Sequence, residues 1–541
     1  MKLKNILKVL IYSITMVCTI AYICYRITFT IPTKLGILTL IISLFILFIE
    51  IWEAFDFFIY FLNTLTSSRK SPKVPDISDI KDFPDIDVLI ATYNESSELL
   101  IQTITACKNM NYPDKNKVHI YLCDDGNRLE IKELAKKMEI NYLTRSTNKN
   151  SKAGNYNHAL KHLSSPYIAT FDADMCPGEN FLLTTLPFFL KSKEKIGFVQ
   201  LPQSFKNPDI YQYRFNLENQ IPFEQEYFYH NLQIAKNSIN APVYCGTNTL
   251  ISREALDATN GFATGTISED IATGMLIQSK GYKCLAIDNI EAYGTSVNDY
   301  EGFIKQRSRW ARGCVQMLKK YKILGIKGLS IRQKLEYLAC VSYWFFGFRR
   351  LVYLITPLLF SILGIIIIDC DFKTFLLMWL PQYILKRLVL DKLEGNKRSS
   401  TWTKIYETIL APSLGTSVVK EYLGSNNTKF EVTPKVELKA GMSKTNAKGL
   451  RWHLVLLALN IIGFILCLFK FEPEFYYNYI LSFVWTISNI FYLTIAVIFD
   501  TKTAVREYEG FVPNKIKKYS KKALILLFFN RRGKKSWKKE I

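Results

Sequence analysis

The sequence predicts an α/β domain, with a doubly wound and mostly parallel sheet, inserted into an α-helical membrane domain. Long apolar runs crowd both ends of the 541 residues, whereas residues 73–334 have an ordinary soluble composition. Within that middle part, short β-branched strands alternate with helical stretches, which is the pattern of a parallel sheet. We therefore divide the chain into two membrane helices, a soluble domain, a second membrane region and a basic tail, at residues 1–71, 72–329, 330–500 and 501–541.

Six apolar runs are each long enough to cross roughly 30 Å of hydrocarbon. They cover residues 6–31, 35–65, 351–369, 372–390, 452–469 and 477–499. Arg69, Lys70 and Lys73 follow the second run, and an excess of basic residues marks the cytosolic side. The sequence thus predicts about six spans in the plasma membrane, with interfacial helices at 330–348 and 402–423. It places the soluble domain and the tail in the cytosol.

The formal net charge of +22 fits this topology better than nucleic-acid binding, because the soluble part has no basic stripe with interleaved aromatic residues. Residues 514–541 hold eleven Lys or Arg and one acid around the apolar patch 523–529. Such a tail predicts contact with anionic membrane lipid, and a disordered solvated tail is the open alternative. The eleven cysteines form no C-x-x-C pair, so neither a zinc site nor a disulfide framework is expected.

Two carboxylates stand one residue apart directly after a predicted buried strand, residues 167–171. Asp172 and Asp174 point to the same side of an extended chain, at the strand end where open α/β sheets bind ligands. A Mg²⁺ or Mn²⁺ ion that carries a diphosphate suits two such hard oxygen ligands. For this pair alone, an Asp-rich turn or helix start is an open alternative.

Further polar clusters follow the neighbouring predicted strands, residues 87–91 and 118–123. The first strand leads into Thr92, Tyr93 and Glu95, and the second into Asp124 and Asp125. Because parallel strands end at the same sheet edge, a nucleotide would lie across these clusters. Residues 151–155 add Lys152 beside a glycine, which suits a phosphate group and close backbone approach.

Two clusters lie downstream, and each has a structural alternative. Glu269 and Asp270 open a predicted helix, 271–279, either as acids that complement the helix dipole or as catalytic groups. Gln306, Arg309 and Trp310 precede the second membrane region. Arg suits bidentate phosphate contacts and Trp a sugar face, whereas a basic and aromatic belt at the membrane surface is the plain alternative.

The ordered series TYNE, DDG, KAGN, DAD, SED and QRSRW resembles the processive, inverting family-2 glycosyltransferases of the cellulose synthase type. The resemblance extends over nearly the whole chain and implies a GT-A fold for the soluble domain. Tyr244, Cys245 and Gly246 are similar to the family's segment at the acceptor terminus. Residues 430–435, FEVTPK, resemble the core of its gating loop, which would occupy about 425–440.

The resemblance implies a role for each candidate residue. The uridine would be held by Thr92, Tyr93, Glu95, Asp124 and Asp125. The diphosphate would contact Lys152 and Arg309, and Mg²⁺ or Mn²⁺ would be bound by Asp174 with Asp172. Asp270 would act as the general base beside Glu269, while Gln306, Trp310, Cys245 and Gly246 would face the acceptor. Phe430, Val432 and Thr433 would form the gate.

These implications predict an enzyme that polymerises glucose from UDP-glucose and secretes a cellulose-like or capsular β-glucan. A hyaluronan- or chitin-type synthase using UDP-N-acetylhexosamine is the first alternative, and a non-processive enzyme making a glycolipid is the second. A transporter or an inactive scaffold protein is a further hypothesis. We expect no PilZ domain after the last span and therefore no regulation by cyclic di-GMP. Ser268 stands where the family usually has Thr, and we expect its hydroxyl to cap the helix. A homo-oligomer is compatible with the sequence.

Overall fold

The structure is a computed structural model of the chain. It describes residues 2–66, 70–218, 220–297, 299–393, 399–424, 447–470, 472 and 475–501. The gating-loop prediction, with Phe430, Val432 and Thr433, and the basic tail from residue 502 lie outside the described residues.

The soluble domain is built on a seven-stranded sheet with the order β3-β2-β1-β4-β8-β6-β9. Strands β1 to β4 are parallel to one another, and β8 alone runs antiparallel to both of its neighbours, β4 and β6. A second sheet holds three short strands in the order β5-β10-β7. The strands are β1 Ile86–Thr92, β2 Val118–Asp124, β3 Asn141–Thr144, β4 Tyr167–Asp172, β5 Cys176–Pro177, β6 Ile196–Gln200, β7 Ser204–Phe205, β8 Thr249–Ser252, β9 Lys283–Ala286 and β10 Ala292–Gly294.

Helices precede, surround and follow this sheet. The first two are α1 Lys2–Phe29 and α2 Ile37–Thr66. Those of the soluble domain are α3 Ser97–Asn109, α4 Leu129–Lys137, α5 Ser151–Ala159, α6 Phe181–Lys191, α7 Ile210–Phe215, α8 Gln233–Lys236, α9 Arg253–Asp257, α10 Glu269–Ser279 and α11 Tyr300–Tyr321. Those that follow are α12 Ile331–Tyr343, α13 Phe346–Ser361, α14 Phe372–Leu388, α15 Ser400–Leu423, α16 Ala447–Phe469 and α17 Tyr476–Thr501.

Apolar side chains cover both faces of the main sheet. Val88 and Ile90 of β1 point into one buried cluster together with Phe171. Leu89, between them, points into a second cluster with Ile168. Alternate residues of a strand face opposite sides, so one strand serves both layers, and the doubly wound, mostly parallel prediction is confirmed.

Among the described residues, four helices are long and apolar enough to cross a membrane, at Ile6–Phe29, Ile37–Asn63, Gly449–Phe469 and Tyr476–Thr501. The helices α12 and α13 would make a fifth span only if they are counted together, and they are bent by 56°. Helix α14 has only 17 residues and carries Lys373, Lys386 and Arg387, whereas a span needs about 20 mostly apolar residues. The six predicted spans are therefore not confirmed.

Helix α15 connects the soluble domain to the membrane helices. A Cβ atom added to Gly347 of α13 would lie 2.8 Å from the backbone nitrogen of Gly415 in α15. This contact requires small residues on both helices, as is common where helices pack closely in membranes. On the other side, Arg312 of α11 forms an ion pair of 2.8 Å with the buried Glu421 of α15. A helix is thus present over the predicted range 402–423, and it packs against α11 and α13; its interfacial position stays a prediction.

Candidate active site

A cavity of about 700 Å³ lies between the carboxyl end of the sheet and helices α2, α11, α12 and α15. Its wall contains most of the residues that the sequence singled out: Thr92, Tyr93, Glu95, Asp125, Lys152, Asp172, Asp174, Cys245, Gly246, Glu269, Asp270, Gln306, Arg309 and Trp310. They come from seven segments that are distant in sequence, so the fold brings the predicted clusters to one place.

The end of β1 is held in shape by the Glu95 carboxylate. The Thr92 hydroxyl donates to Glu95 over 2.7 Å, and the backbone N–H of Tyr93 donates to the same oxygen over 2.8 Å. Arg128 closes the loop, because its guanidinium donates to Thr92 Oγ1 over 2.8 Å and to the Glu95 carbonyl over 2.6 Å. Three of the residues predicted for uridine therefore form one hydrogen-bonded turn, in which Tyr93 lines the cavity and is 42% exposed.

Asp124 is the one described candidate that does not line the cavity. It is fully buried at the end of β2. Its carboxylate accepts hydrogen bonds from the Arg128 backbone N–H over 2.9 Å and from the Tyr142 hydroxyl over 3.0 Å, and also bonds the Gly126 N–H and the Arg128 side chain. The structure therefore places Asp124 beneath the site, where it fixes Arg128, rather than in the wall where a uridine would lie.

Asp125 faces the cavity and is held by a bidentate ion pair. Arg145 donates from Nε over 2.6 Å and from Nη2 over 2.7 Å to the two carboxylate oxygens of Asp125. The same guanidinium donates to the carbonyls of Lys149 and Ser151, so it ties the end of β2 to the start of α5. Parallel N–H···O bonds of this kind orient both partners.

Lys152 joins the acidic pair to the opposite wall. Its ammonium group lies 2.5 Å from Asp172 Oδ1 and donates to the Gly246 carbonyl over 2.7 Å. Burial lowers the pKa of Lys152, but the charge of Asp172, its hydrogen bond and the nearby Tyr244 and Glu269 together outweigh this effect, so the pKa lies above its usual value. A permanent positive charge thus stands beside Asp172, as a phosphate site requires.

Asp172 and Asp174 offer the donor set that a hard divalent cation prefers. Both line the cavity, and Asp174 is only 7% exposed. In the part of the chain that the structure describes, no group of three or more His, Cys, Asp or Glu could hold a metal ion. Mg²⁺ is often bound by one or two carboxylates together with substrate phosphates, so the residues fit a cation that arrives with a diphosphate.

Asp270 approaches Lys152 from the other side of the cavity, at the first turn of α10. Gly246 lies between them with φ +79°, and a Cβ atom there would be 3.2 Å from Asp270 Oδ2 and 3.5 Å from Lys152 Nζ. Glycine tolerates this φ without strain, and the lack of a side chain leaves room beside the carboxylate. Burial, with the nearby charge of Asp172 as a further contribution, raises the pKa of Asp270.

Glu269 and Arg309 complete the charged part of the site. Burial and then the charge of Asp270 raise the pKa of Glu269 to about 8. Burial lowers the pKa of Arg309, although Glu269, Asp172 and Asp270 all act to raise it. Two cationic side chains, Lys152 and Arg309, therefore lie within electrostatic range of the three acids Asp172, Glu269 and Asp270.

Trp310 is held in place by Arg307, a residue of the QRSRW motif to which the sequence assigned no role. The guanidinium of Arg307 lies 4.4 Å from the Trp310 ring centroid and forms an ion pair with Glu224. Gln306 receives a hydrogen bond from Arg307 over 3.0 Å. The ring also makes an edge contact with Trp344, at 6.2 Å between centroids. Arg307 thus orients both acceptor-side candidates.

The prediction that the Ser268 hydroxyl caps helix α10 is wrong. Ser268 makes no side-chain hydrogen bond to the first turn of that helix, and its hydroxyl instead donates to the Trp310 carbonyl over 3.5 Å. The cause is the close approach of α11, because a Cβ atom on Gly313 would lie 2.2 Å from Ser268 Oγ and 2.6 Å from its backbone nitrogen. Ser268 therefore links the two elements that carry Asp270 and Trp310.

Comparison with known proteins agrees with this geometry. The family description Glycosyl transferase family 2 matches residues 87–259. Over 380 residues the chain is 34% identical to a cellulose synthase catalytic subunit [UDP-forming] of Pseudomonas fluorescens, and over 382 residues it is 32% identical to one of Xanthomonas axonopodis pv. citri. Residues 87–259 thus match a glycosyltransferase family 2 domain, and the chain is similar to cellulose synthase catalytic subunits. The family resemblance predicted from the ordered motifs is thereby confirmed.

These alignments do not extend over the whole relatives. They cover 70% and 71% of this chain, but 51% and 52% of the two relatives, so the chain spans about half their length. Among solved structures, a mannosyltransferase of Pyrobaculum calidifontis in complex with GDP-Man and Mn²⁺ is 18% identical. It covers 71% of this chain and 100% of its own, with a TM-score of 0.47.

Sequence reasoning missed two arginines of this family-2 site, Arg128 and Arg145. Each pairs with an acid of the DDG motif: Arg128 with Asp124, four residues before it, and Arg145 with Asp125, 20 residues before it. The DDG motif alone did not indicate them, since a pair of adjacent buried acids was read as ligand-binding. Buried carboxylates need charged or hydrogen-bonding partners, and this requirement would have pointed to both arginines.

Proposed function

We propose that this family-2 transferase polymerises glucose from UDP-glucose by a metal-dependent, inverting transfer and secretes the β-linked polysaccharide. One observation carries the proposal: Asp270, Lys152 and the Asp172–Asp174 pair share a single cavity that continues to helices α2 and α15. The names of the aligned relatives, cellulose synthase catalytic subunits that form UDP, support glucose as the sugar and UDP as the leaving group.

The side chains in the cavity account for each part of the transfer. Lys152 and Arg309 stabilise negative charge as it develops on the departing diphosphate. A divalent cation bound by Asp172 and Asp174 would add Lewis-acid stabilisation of that same leaving group. Asp270 accepts the proton of the acceptor hydroxyl, which is a poor nucleophile until a base assists it. A single displacement at the anomeric carbon converts an α-linked donor into a β-linked product.

The shape of the cavity supports a polymer rather than a small acceptor. Beyond Trp310, its wall includes Asn63 and Tyr60 of α2 and Tyr406 and Glu407 of α15. Helix α2 is one of the four candidate membrane spans. Aromatic faces alternating with polar groups suit a sugar chain, so the product would leave the base along these helices and towards the membrane.

Membranes containing the chain, incubated with labelled UDP-glucose or with labelled UDP-N-acetylglucosamine, test the proposal. We expect a high-molecular-weight labelled product from UDP-glucose alone, in a reaction that chelation of divalent cations stops. Labelled polymer from UDP-N-acetylglucosamine only would assign the chain to hyaluronan- or chitin-type synthesis. A short labelled lipid would show a non-processive enzyme instead.

A further inference from the structure

Four basic side chains come from three helices that pack beside the candidate membrane spans. They are Arg350 of α13, Lys386 and Arg387 of α14, and Lys404 of α15. Arg350 and Arg387 are both charged neighbours of Lys404. We call these four residues the basic cluster. Like charges this close repel one another, and an anion among them would offset the cost of that repulsion.

The contacts of the basic cluster are mostly with neutral groups. Lys386 lies over the Phe57 ring at 5.4 Å, and Lys404 over the Tyr383 ring at 5.4 Å. Arg387 donates to the Tyr383 hydroxyl over 3.2 Å and to Thr401 over 3.0 Å. Arg350 donates to Thr408 over 2.9 Å, while its Nη2 is buried with no hydrogen-bond partner in the described part of the chain.

The nearby acids do not neutralise the cluster directly. The carboxylates that face it are Glu50, Glu53, Glu407 and Asp391. The Asp391 oxygens already accept from the N–H and hydroxyl of Ser400. Within the described residues, none of the four cations has a carboxylate oxygen within 4.0 Å. Buried or half-buried cations without ion-pair partners are costly, so the cluster is suited to one additional anion.

The position of the cluster indicates where that anion comes from. Helix α14 lies along α1, with Phe375 against Tyr22 near one end and Val389 packed with Tyr12 at the other. Because α1 is a candidate span, Lys386 and Arg387 lie where α14 reaches the membrane boundary. Arg350 and Lys404 lie in the first two turns of their own helices, and Lys404 has Arg387 as a charged neighbour.

An apolar surface adjoins the basic cluster. The side of α14 that faces away from the protein carries four exposed apolar side chains, Leu377, Leu380, Ile384 and Leu388. A soluble anion would make no contact with such an apolar surface, whereas the acyl chains of a lipid would pack against it. A polybasic pocket between helices, beside apolar surface at the membrane boundary, matches lipid-headgroup recognition.

We propose that the basic cluster binds the phosphate of an anionic phospholipid, whose acyl chains lie along α14. The bound headgroup joins α13, α14 and α15. Since α15 also lines the transfer cavity through Thr403 and Glu407, the lipid would stabilise that wall. The proposal rests on the charges and the apolar surface, and it holds whether or not the donor sugar is glucose.

Lipid binding to the purified full chain in detergent tests the proposal, with phosphatidylglycerol, phosphatidylcholine, glycerophosphoglycerol and inorganic phosphate as separate probes. The test variant combines Lys386→Gln and Lys404→Gln, because neither lysine makes a hydrogen bond that the structure shows. The matched control combines Lys373→Gln and Lys420→Gln, exposed lysines on the same two helices. We expect the control to bind phosphatidylglycerol like the natural chain, and the test variant to bind it roughly 10- to 30-fold more weakly.

Three results would overturn the proposal. The first is equal binding of phosphatidylglycerol and phosphatidylcholine by the natural chain. The second is inorganic phosphate or glycerophosphoglycerol binding as tightly as phosphatidylglycerol, which would show a site for free anions. The third is loss of polymer formation in the test variant with unchanged lipid binding, which would assign the cluster to the polymer's path. If the variant does not fold, the natural chain decides: its preference for phosphatidylglycerol should fall as salt rises.

Discussion

At the scale of single residues, the central feature is Asp270, a carboxylate that lies near cationic side chains without forming an ion pair with them in the described part of the chain. Asp270 Oδ1 accepts only a hydrogen bond from the backbone N–H of Ile271 among the bonds that the structure records, and Oδ2 points to the open space at Gly246. Asp172, by contrast, is already paired with Lys152. This difference separates a proposed base from a proposed binding group.

Replacing Asp270 by Asn keeps the shape of the side chain and removes its basicity. We expect the rate of UDP release to fall roughly 10²- to 10⁴-fold, the usual contribution of a general base, while UDP-glucose binding is retained. Asp257→Asn, at a largely exposed carboxylate on α9, is the control and should keep full activity. Loss of donor binding together with activity would assign Asp270 to the donor instead.

The pH dependence of the reaction follows from the raised pKa of Asp270. A base acts in its charged form, so the rate must fall as the pH drops through that pKa. Because burial disfavours the charged form, we expect the acid limb of the rate profile to lie above the ordinary aspartate range near about 4. A pH profile of UDP release by the full chain measures it, and a rate unchanged down to that range would exclude a buried aspartate base.

Asp174 has a separate task in the proposal, which a second substitution isolates. Asp174→Ala should weaken Mn²⁺-dependent UDP binding roughly 10- to 100-fold, at least the loss expected when metal sites lose a supporting group. Binding titrations of UDP with and without Mn²⁺ measure the effect. If the variant bound both normally, the metal would not be held at this pair.

At the scale of elements, the approach of α11 to the start of α10 sets the distance between the base and the acceptor platform. Gly313 permits this approach, and its position in a helix interior gave no sequence signal, because helical glycine alone says nothing about its neighbours. We expect Gly313→Ala to destabilise the protein by about 1–3 kcal/mol, as overpacking usually does, and to lower the rate of transfer.

Gly325→Ala serves as the control for this prediction, because nothing lies within 4 Å of a Cβ atom added there. Thermal unfolding in detergent and UDP release, measured for both variants, make the comparison. If Gly313→Ala had the same thermal stability and the same rate of UDP release as Gly325→Ala, α10 and α11 could move apart without loss of stability or activity. The close contact between them would then have no role.

Elements with strong local patterns were predictable, and those defined by tertiary contacts were not. The β-branched runs of β1, β2 and β4 predicted these strands to within a residue or two at each end. Strand β3, Asn141–Thr144, is short and polar and was missed, since only its pairing with β2 defines it. Strand β8 takes up only Thr249–Ser252 of the apolar run 243–252, because the residues before it bend around the cavity and present Cys245 and Gly246.

The same reasoning explains the outcome at the site and in the membrane. Motif residues at strand ends were predictable because strand polarity alone brings them together, and all of those described except Asp124 reached the cavity wall. Hydropathy predicted the four long spans. It did not show the bend between α12 and α13 or the shortness of α14, because apolar runs do not reveal where a helix breaks.

At the scale of the whole molecule, the structure places a transferase cavity directly against a candidate membrane span. Tyr60 of α2 and Tyr227 of the soluble domain share a hydrogen bond of 2.6 Å between their hydroxyls, and Ser342 of α12 donates to Asp56 of α2 over 2.6 Å. The catalytic domain is thereby fixed to the membrane helices at the cavity itself. Such an arrangement suits synthesis coupled to export, which a soluble transferase does not need.

The most direct test of this account is linkage analysis of the product that the purified full chain makes in vitro from UDP-glucose and a divalent cation. The account predicts a long glucan whose glycosidic bonds are all β, with UDP released in step and no product from Asp270→Asn. An α-linked product, or the absence of any glucose polymer while UDP is released, would contradict it.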